Sequence, residues 1–276
     1  MIAILLATYN SESYLSEQID SIMQQSYNDW TIYFRDDGST DKTIDIIKEY
    51  QANNPNKFFL LEDKKGGLKS YGNFVELLKS VDAEYYMFSD HDDVWLPNKI
   101  EISMQRMKEI EKERPNTPVV VHTDMKVVNQ DLNVISDSFW DFSRLLPEHS
   151  KFWELVCCNS VNGCTMLFND KAKNTAFGHE PYCLMHDTLV SQSVAAVNGV
   201  ISAINQPTVL YRQHFDNVIG AADAKRSYFV HRMKSGAGAL KDNYGVWKRA
   251  RHIKDGSFFY FLFVKMKITI LRFLKI

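Results

Sequence analysis

The sequence predicts an α/β fold in which a mostly parallel central sheet is covered by helices. Two observations indicate this class: short apolar runs alternate with segments of helical period along the first half of the chain, and three polar motifs each follow an apolar run. The 276 residues are 45% hydrophobic, which suffices for the core of one large globular domain. Strands that alternate with helices usually pair in parallel, because each crossover helix returns the chain to the same end of the sheet.

The individual elements follow from the same pattern. Apolar runs predict five strands, at 2–7, 30–35, 58–62, 84–89 and 118–128. Helical period predicts the helices between them, at 12–25, 41–51, 74–81 and 99–113. Asn10 and the serines after it are expected to cap the first helix, and Pro97 suits the first turn of the fourth. Beyond about residue 145 the pattern weakens; it predicts strands at 164–168 and 199–204 and helices at 185–197 and 224–276.

Polar motifs follow three of the predicted strands. Residues 6–10 read LATYN, residues 36–41 read DDGSTD, and residues 90–93 read DHDD. Ligands of open α/β sheets bind outside the carboxyl ends of the strands. We therefore expect the three motifs to form one site at that end of the sheet.

The DHDD motif places three aspartates within four positions. Two bare carboxylates about 4 Å apart repel by roughly 4 kcal/mol at an effective dielectric near 20, so something must offset their charge. Asp90 and Asp92, at alternating positions, can present oxygens to one hard divalent cation that also binds a diphosphate. A solvated acidic loop is the alternative, but a buried-looking strand precedes the motif and Trp95 follows it. The motif thus predicts a Mg²⁺ or Mn²⁺ site.

Other polar residues have two interpretations each. In DDGSTD, Gly38 permits a tight turn and Asp41 or Ser39 can cap the next helix, yet a second aspartate could also accept the imide N–H of uracil or thymine. Asp187 begins a helical segment, where the helix dipole alone favours a carboxylate. Residues 122–124 could contact an acceptor or simply alternate along a strand. The two adjacent glycines Gly66 and Gly67 are not part of a GxGxxG pattern, which argues against a dinucleotide-binding dehydrogenase.

Six motifs in order resemble the family-2 glycosyltransferases. They are LATYN (6–10), DDGSTD (36–41), DHDDVW (90–95), GCTMLFN (163–169), MHD (185–187) and YRQHFDN (211–217). Within that family the sequence is most similar to the bacterial rhamnosyltransferases that build surface polysaccharide. The resemblance covers roughly residues 1–220 and implies a GT-A fold for them, with 221–276 as a helical, basic C-terminal segment.

The resemblance also implies residue roles. Thr8, Tyr9 and Asp37 would hold the nucleoside, and Asp90 and Asp92 match the DxD motif that meets ribose, diphosphate and metal. Asp187 matches the general base and His214 a histidine that reaches the metal or diphosphate. We further assign Gly67 and His91 to the donor side and Trp95 and His186 to the acceptor side. Two departures from the family pattern are Arg35, where a small or apolar residue is usual, and His91, where the rhamnosyltransferases more often have glutamine.

The resemblance implies an inverting transfer of a sugar from a nucleotide donor to a saccharide hydroxyl. The expected donor is dTDP-L-rhamnose and the expected product a bacterial surface polysaccharide. A UDP-hexose donor is the alternative, because Asp37 does not separate uracil from thymine. A sugar-1-phosphate nucleotidyltransferase would require a glycine-rich basic loop after the first strand, which TYNSESY is not. An inactive sugar-nucleotide-binding protein is disfavoured by the intact Asp92 and Asp187.

The C-terminal segment carries a charge pattern of its own. Residues 225–276 contain 13 Lys and Arg against two acidic residues, whereas the whole chain has a net charge of −2. The run FFYFLFV in 257–276 is too short for the ~20 residues of a membrane span, so we predict interfacial binding to anionic lipid and a lipid-borne acceptor. A helix packed on the body is the alternative, and no nucleic-acid motif accompanies the charge. The absence of a leader and four unpaired-looking cysteines predict a cytoplasmic enzyme at the inner membrane face.

Overall fold

The computed structural model describes residues 1–63, 65–214 and 237–275, and its helices surround one mixed sheet. The strands are β1 (Ile2–Thr8), β2 (Trp30–Asp36), β3 (Phe58–Leu60), β4 (Tyr85–Ser89), β5 (Val94–Trp95), β6 (Val119–Asn129), β7 (Val134–Ser136), β8 (Met166–Asn169) and β9 (Val200–Gln213). The helices are α1 (Leu15–Met23), α2 (Thr43–Asn53), α3 (Lys69–Ser80), α4 (Lys99–Glu113), α5 (Phe139–Phe142), α6 (Phe152–Cys157), α7 (Asp170–Ala176), α8 (His186–Ala196), α9 (Ala237–Ala250) and α10 (Phe258–Leu274).

The strand order is β3-β2-β1-β4-β8-β6-β9-β5, with β7 paired to β6. The first four strands are parallel, as predicted, so the carboxyl ends of β1, β2 and β4 lie side by side. Strand β8 runs antiparallel to both β4 and β6 and joins the two halves of the sheet. The α/β class is therefore confirmed, and the antiparallel pairings lie in the second half of the sheet.

Strand β1 is buried on both faces, as its apolar run predicts. Ile2, Ile4 and Leu6 pack into the core beneath α1, α2 and α4. Ala3 and Leu5 point to the opposite core, which α3, α6, α8, α9 and α10 cover. The sheet is thus a layer between two apolar cores, and polar side chains concentrate where its strands end.

Some local predictions differ from the structure. Helix α1 begins at Leu15 with Tyr14 at its N-cap, so Asn10 does not cap it. Asn10 has a left-handed backbone (φ 46°), and its side-chain oxygen accepts the Thr40 N–H at 2.9 Å. This bond ties the loop after β1 to the loop after β2. The short elements β5, β7, α5, α6 and α7 had no counterpart in the sequence pattern.

Helix α10 packs one face on the body. Phe261, Val264 and Ile268 are buried in the same core as Trp153 and Trp247. The alternative of a docked helix is therefore correct for this face. The predicted boundary between residues 220 and 221 lies outside the described residues. Within the described ranges, no helix combines the length and apolar character of a membrane span.

Candidate active site

The two aspartates of DDGSTD have different partners. The Asp36 carboxylate accepts the N–H groups of Gly38 at 2.9 Å and Ser39 at 2.7 Å, together with the Thr8 hydroxyl at 2.8 Å. Gly38 has φ 95°, a left-handed conformation that favours glycine. Asp36 therefore stabilises the tight turn after β2, whereas Asp37 faces the neighbouring loop before α3.

Asp37 links that turn to the start of α3. Its carboxylate is buried and accepts the backbone N–H groups of Leu68 at 2.9 Å and Lys69 at 2.7 Å. The Arg35 guanidinium also donates to this carboxylate, at 3.4 Å. A carboxylate offers about four acceptor positions, so these three bonds leave capacity for about one further donor. Gly67 precedes this pair with φ 72°, and its N–H donates to the Asp37 carbonyl at 3.3 Å.

Arg35, a departure from the family pattern, is fully engaged. Its side chain is 1% exposed and forms a two-bonded ion pair with Asp63, at 2.8 and 3.0 Å. It also donates to Asn73 at 2.9 Å, and Asn73 donates to the Thr8 carbonyl at 3.2 Å. Such a bidentate pair fixes orientation as well as charge. Arg35 therefore ties the 61–68 loop and α3 to the ends of β1 and β2.

The remaining nucleoside residues are placed at the same ends. Thr8 is buried, with its hydroxyl bound to Asp36, whereas Tyr9 is 57% exposed at the surface. His91 is partly buried on the loop after β4. The geometry brings these strand ends together, and the nucleoside roles of Thr8, Tyr9 and Asp37 stay predictions.

The DHDD aspartates lie where β4 ends, and the neighbouring carboxylates perturb one another. Burial, with Asp92 and Asp187 nearby, raises the pKa of Asp90 to about 7. Burial, with Asp92 and Asp90 nearby, raises the pKa of Asp93 well above its usual range. One Asp93 oxygen accepts the Arg212 N–H at 3.1 Å, and the Cys164 thiol lies beside the carboxyl. Burial and mutual repulsion therefore disfavour full ionisation of this cluster.

Two groupings of metal-ligating atoms occur here. Atoms of Asp90, Asp93 and Cys164 lie within 4.8 Å of one another. Asp92 is instead paired with His214, whose Nε2 lies 2.8 Å from its Oδ2. Burial raises the pKa of the Cys164 thiol well above its usual range, so the thiol stays protonated and is a poor ligand.

The residues present fit a hard divalent cation. Mg²⁺ and Mn²⁺ prefer carboxylate oxygens, and imidazole is an accepted additional ligand for Mn²⁺. Asp90, Asp92 and His214 supply atoms of these kinds, although among the described residues it is Asp90, Asp93 and Cys164 that gather within 4.8 Å of one another. Positive charge there would favour the ionised form of Asp90, which burial and the neighbouring carboxylates disfavour.

Asp187 lies in the first turn of α8, beside this cluster. Burial raises the pKa of its carboxyl to about 6, although the backbone N–H groups of Thr188 and Gly163 hydrogen-bond to it and act in the opposite direction. It lies close enough to Asp90 to raise the pKa of that group. A carboxylate with a raised pKa at the edge of an acidic cluster is suited to accept a proton near neutral pH.

His186 and Trp95, predicted on the acceptor side, are buried. The His186 ring lies between Phe74, at 3.9 Å between ring centroids, and Phe88, at 4.7 Å, and burial lowers the pKa of His186 to about 3. Trp95 is 2% exposed and packs against Lys99. Neither ring presents surface to a sugar in this geometry, so their acceptor roles stay predictions.

The segment at 122–124 is structural in this geometry. His122 and Thr123 are fully buried. The Asp124 carboxylate accepts the N–H groups of Phe139 and Trp140, both at 3.1 Å, at the start of α5. All three residues are buried in succession, so simple alternation does not describe them, and Asp124 instead holds the start of α5.

Sequence reasoning missed three polar residues around the site. Arg212 donates to the backbone of the DHDD loop, the Tyr14 ring packs on that of His214, and Asp63 pairs with Arg35. For Arg212 a usable signal existed: it lies in YRQH, two positions before an assigned residue. Nothing in the local pattern distinguished Tyr14 or Asp63.

Comparison with known proteins identifies the family. Residues 3–184 match Glycosyl transferase family 2. The chain therefore belongs to the family-2 glycosyltransferases, with the GT-A-like α/β fold that its strand order displays.

Among curated relatives, a dTDP-rhamnosyl transferase of Shigella flexneri, RfbG, is 30% identical over 225 residues, which cover 78% of this chain and 74% of that protein. Among solved structures, S. aureus TarS 1–349 in complex with UDP-GlcNAc aligns with a TM-score of 0.62 at 16% identity, over 99% of this chain and 72% of that one. The mannosyltransferase PcManGT from Pyrobaculum calidifontis, in complex with GDP-Man and Mn²⁺, aligns with a TM-score of 0.60 at 16% identity. The alignment covers 99% of this chain and 73% of that one. At such identities the structural likeness supports the fold.

Proposed function

We propose that this glycosyltransferase transfers L-rhamnose from dTDP-L-rhamnose, with inversion, to a saccharide hydroxyl during synthesis of a bacterial surface polysaccharide. The rhamnosyl donor is supported by the 30% identity to a dTDP-rhamnosyl transferase. A UDP-hexose is the alternative donor, because the TarS structure of the same fold holds UDP-GlcNAc. The Asp37 carboxylate accepts the imide N–H of either base, so it does not choose between them.

The observation that carries the enzymatic proposal is the position of Asp187 beside the DHDD cluster, with a pKa raised to about 6. In the proposed reaction Asp187 accepts the proton of an acceptor hydroxyl. The hydroxyl oxygen then bonds to the anomeric carbon of the donor, on the face opposite the nucleotide. The bond from that carbon to the diphosphate oxygen breaks, and the electron pair leaves with the nucleoside diphosphate.

The donor side follows from the strand ends. Thr8, Tyr9, Asp37 and Gly67 would surround the nucleoside, and His91 would lie beside the sugar or diphosphate. Asp90, Asp92 and His214 would hold a divalent cation, as their carboxylate and imidazole atoms suit Mg²⁺ or Mn²⁺. When bound, that cation supplies positive charge to the diphosphate as negative charge grows on it. Trp95 and His186 would support the acceptor side from beneath, because both are buried.

The proposed enzyme is tested by incubation with a panel of sugar nucleotides and measurement of nucleotide release. dTDP-L-rhamnose, UDP-glucose, UDP-galactose and UDP-GlcNAc are each supplied with Mg²⁺, with Mn²⁺ and with chelator, in the absence of acceptor. Slow metal-dependent release from one donor is expected, and its identity names the donor. Binding of a donor without any release would favour an inactive sugar-nucleotide-binding protein.

We also propose that α10 places the enzyme on the cytoplasmic face of the cell membrane, near a lipid-borne acceptor. Opposite its buried face, α10 exposes a continuous apolar stripe, in which Phe259 is 82% exposed and Phe263 58%. The stripe consists of Phe259, Tyr260, Phe263, Met266, Ile270, Phe273 and Leu274. An exposed apolar surface of this kind, on a helix too short to span, suits insertion into the headgroup boundary.

The basic residues of α10 take less part in this contact than the sequence suggested. Arg272 donates to the carbonyls of Ser143 and Arg144, both at 2.9 Å, and Lys275 donates to that of Leu145 at 2.8 Å. These cations are bonded to the body, so the apolar stripe is the main contributor to the proposed membrane contact. The exposed Lys241, Lys248 and Arg249 of α9 remain available to anionic lipid.

A further inference from the structure

Arg212 connects the DHDD loop to two other parts of the fold. Its side chain is 3% exposed, near the end of β9 and two positions before His214. Its Nε donates to the Asp92 carbonyl at 2.8 Å. Its Nη1 donates to the Gln130 carbonyl, and its Nη2 donates to the Glu17 carboxylate on α1. Three separate segments thus meet at one buried cation.

The same side chain shares an aromatic platform with His214. The Arg212 guanidinium lies 4.6 Å from the centre of the Tyr14 ring, and the His214 ring lies 4.9 Å from it. The Arg212 backbone N–H also donates to Asp93 at 3.1 Å. Arg212 therefore contacts the loop that carries Asp92 and the aromatic ring that supports His214.

We propose that Arg212 is a positioning residue for the diphosphate side of the site. By bonding to the Asp92 backbone and stacking on Tyr14, it keeps the Asp92 carboxylate and the His214 imidazole 2.8 Å apart. That arrangement recognises the second phosphate of a nucleoside diphosphate together with its divalent cation. The inference rests on the proposed function and explains how the donor site would prefer a nucleoside diphosphate over a monophosphate.

The planar fork of arginine is required for this role. A buried cation is tolerated only where its hydrogen bonds are satisfied, and Arg212 meets that condition with partners in three directions. Lysine keeps the charge but cannot reach these partners simultaneously, because its ammonium is a single point. Removal of such outer partners of metal-binding groups typically lowers affinity by about 10- to 100-fold.

Arg35 provides a matched control at the other end of the site. It is equally buried and also bidentate, but its partners are Asp63, Asn73 and Asp37 on the nucleoside side. Its replacement by lysine is expected to weaken nucleoside contacts shared by monophosphate and diphosphate. The two variants therefore separate a local positioning effect from a general effect of losing a buried arginine.

The test is calorimetric binding of UDP against UMP, and of dTDP against dTMP, in the presence of Mn²⁺. The measured quantity is the ratio of the diphosphate affinity to the monophosphate affinity for the pair that the wild type binds more tightly. Arg212→Lys is expected to lower this ratio by about 10-fold or more. Arg35→Lys is expected to weaken both ligands in proportion and leave the ratio unchanged. Direct Mn²⁺ binding in the presence of diphosphate should weaken in Arg212→Lys alone.

A second pair of variants covers the case in which Arg212→Lys does not fold. Tyr14→Phe keeps the aromatic platform and should keep the wild-type ratio, whereas Tyr14→Ala removes it and should lower the ratio. A wild-type ratio in Arg212→Lys, or in Tyr14→Ala if the first variant is unfolded, overturns the inference. The proposed function is judged separately by the wild type: if it binds neither UDP nor dTDP, both proposals fail.

Discussion

His214 and Asp92 lie 2.8 Å apart through Nε2 and Oδ2, although 122 positions separate them in the chain. The contact follows from the pairing of β5 with β9, in which Val94 lies opposite Leu210. This antiparallel register carries the end of β9 back to the loop that holds Asp92. A two-residue strand that no sequence pattern indicated thus joins two residues of the predicted metal site.

Nucleotide binding is expected to need a divalent cation, because the DHDD carboxylates carry negative charge that repels a diphosphate. Asp92→Asn should weaken Mn²⁺-dependent binding of UDP or dTDP by about 10-fold or more. Calorimetry with Mg²⁺, Mn²⁺ and chelator measures this. Asp131→Asn, an exposed aspartate in the turn between β6 and β7, is the matched control. Equal affinity of the wild type in chelator would exclude the metal role.

Asp187→Asn should abolish transfer and leave donor affinity nearly intact, because a general base acts on the acceptor. Loss of a positioned base lowers turnover by roughly 100- to 10,000-fold. The matched control is Asp170→Asn, which changes an aspartate in the first turn of the neighbouring α7 and should leave turnover unchanged. If Asp187→Asn turns over within a few-fold of the wild type, Asp187 serves only as a helix-start residue stabilised by the dipole.

The pH dependence of transfer should follow the Asp187 carboxyl, whose pKa burial raises to about 6. The base is the deprotonated form, so turnover should be complete above that pH and fall about tenfold per pH unit below it. Because the folded pKa is raised, the contribution of this group to stability is present below the usual aspartate pKa and is lost as pH rises through about 6. Turnover at saturating substrates from pH 5 to 8 measures the profile, and a flat acid limb would count against Asp187.

Gly163→Ala should impair both stability and turnover. A Cβ at Gly163 would lie 2.2 Å from Nε2 of His186, so the ring between Phe74 and Phe88 must move. That movement would displace the adjoining Asp187, which hydrogen-bonds to the Gly163 N–H. Overpacking of this kind typically costs about 1–3 kcal/mol.

Urea unfolding together with turnover measures the effect of Gly163→Ala. Gly245→Ala in α9 is the matched control, since its added Cβ meets nothing within 4 Å. That change should be neutral or stabilise the protein by about 0.5–1 kcal/mol, as expected for alanine replacing a helical glycine. Wild-type turnover in Gly163→Ala would show that His186 does not position Asp187.

Local sequence patterns predicted most of the long elements of this fold, although they predicted only residues 199–204 of β9, which spans Val200–Gln213. The apolar run at 2–7 predicted β1, because a strand buried on both faces is continuously apolar, and the helical period at 99–113 predicted α4, because that helix is buried on one side. Strands β5 and β7 are only two and three residues long and are stabilised by pairing with distant strands. No local signal marks such elements.

The site was predictable in its motifs and less so in its contacts. Adjacent aspartates at the end of β2 indicated a functional turn, but only the fold shows that Asp36 builds the turn while Asp37 binds the start of α3. Trp95 follows a polar motif, as an exposed aromatic binding residue would, and its burial depends on α1 and β9. The ion pair of Arg35 with Asp63 joins residues 28 positions apart, so no local pattern predicted a partner for this buried arginine.

The exposed stripe of α10 should hold the enzyme on lipid. Replacement of Phe259, Phe263 and Ile270 by serine removes three exposed apolar side chains and leaves the buried Phe261 and Val264 in place. Inserting one such side chain contributes about 1.5–3 kcal/mol, so the triple variant should bind liposomes at least about 100-fold more weakly. Deletion of 257–276 is a poorer test, because it also removes buried residues from the core.

The measurement is co-sedimentation with liposomes of neutral lipid and of mixed neutral and anionic lipid. A charge variant, with Lys241, Lys248 and Arg249 changed to glutamine, serves as the matched comparison. Each cation near an anionic surface contributes about 1 kcal/mol, so this variant should lose the preference for anionic lipid and retain binding to neutral lipid. Thermal unfolding verifies that both variants fold. If the serine variant sediments with liposomes as well as the wild type, the stripe is not the membrane contact, and a second copy of the chain becomes the occupant to test by sedimentation equilibrium.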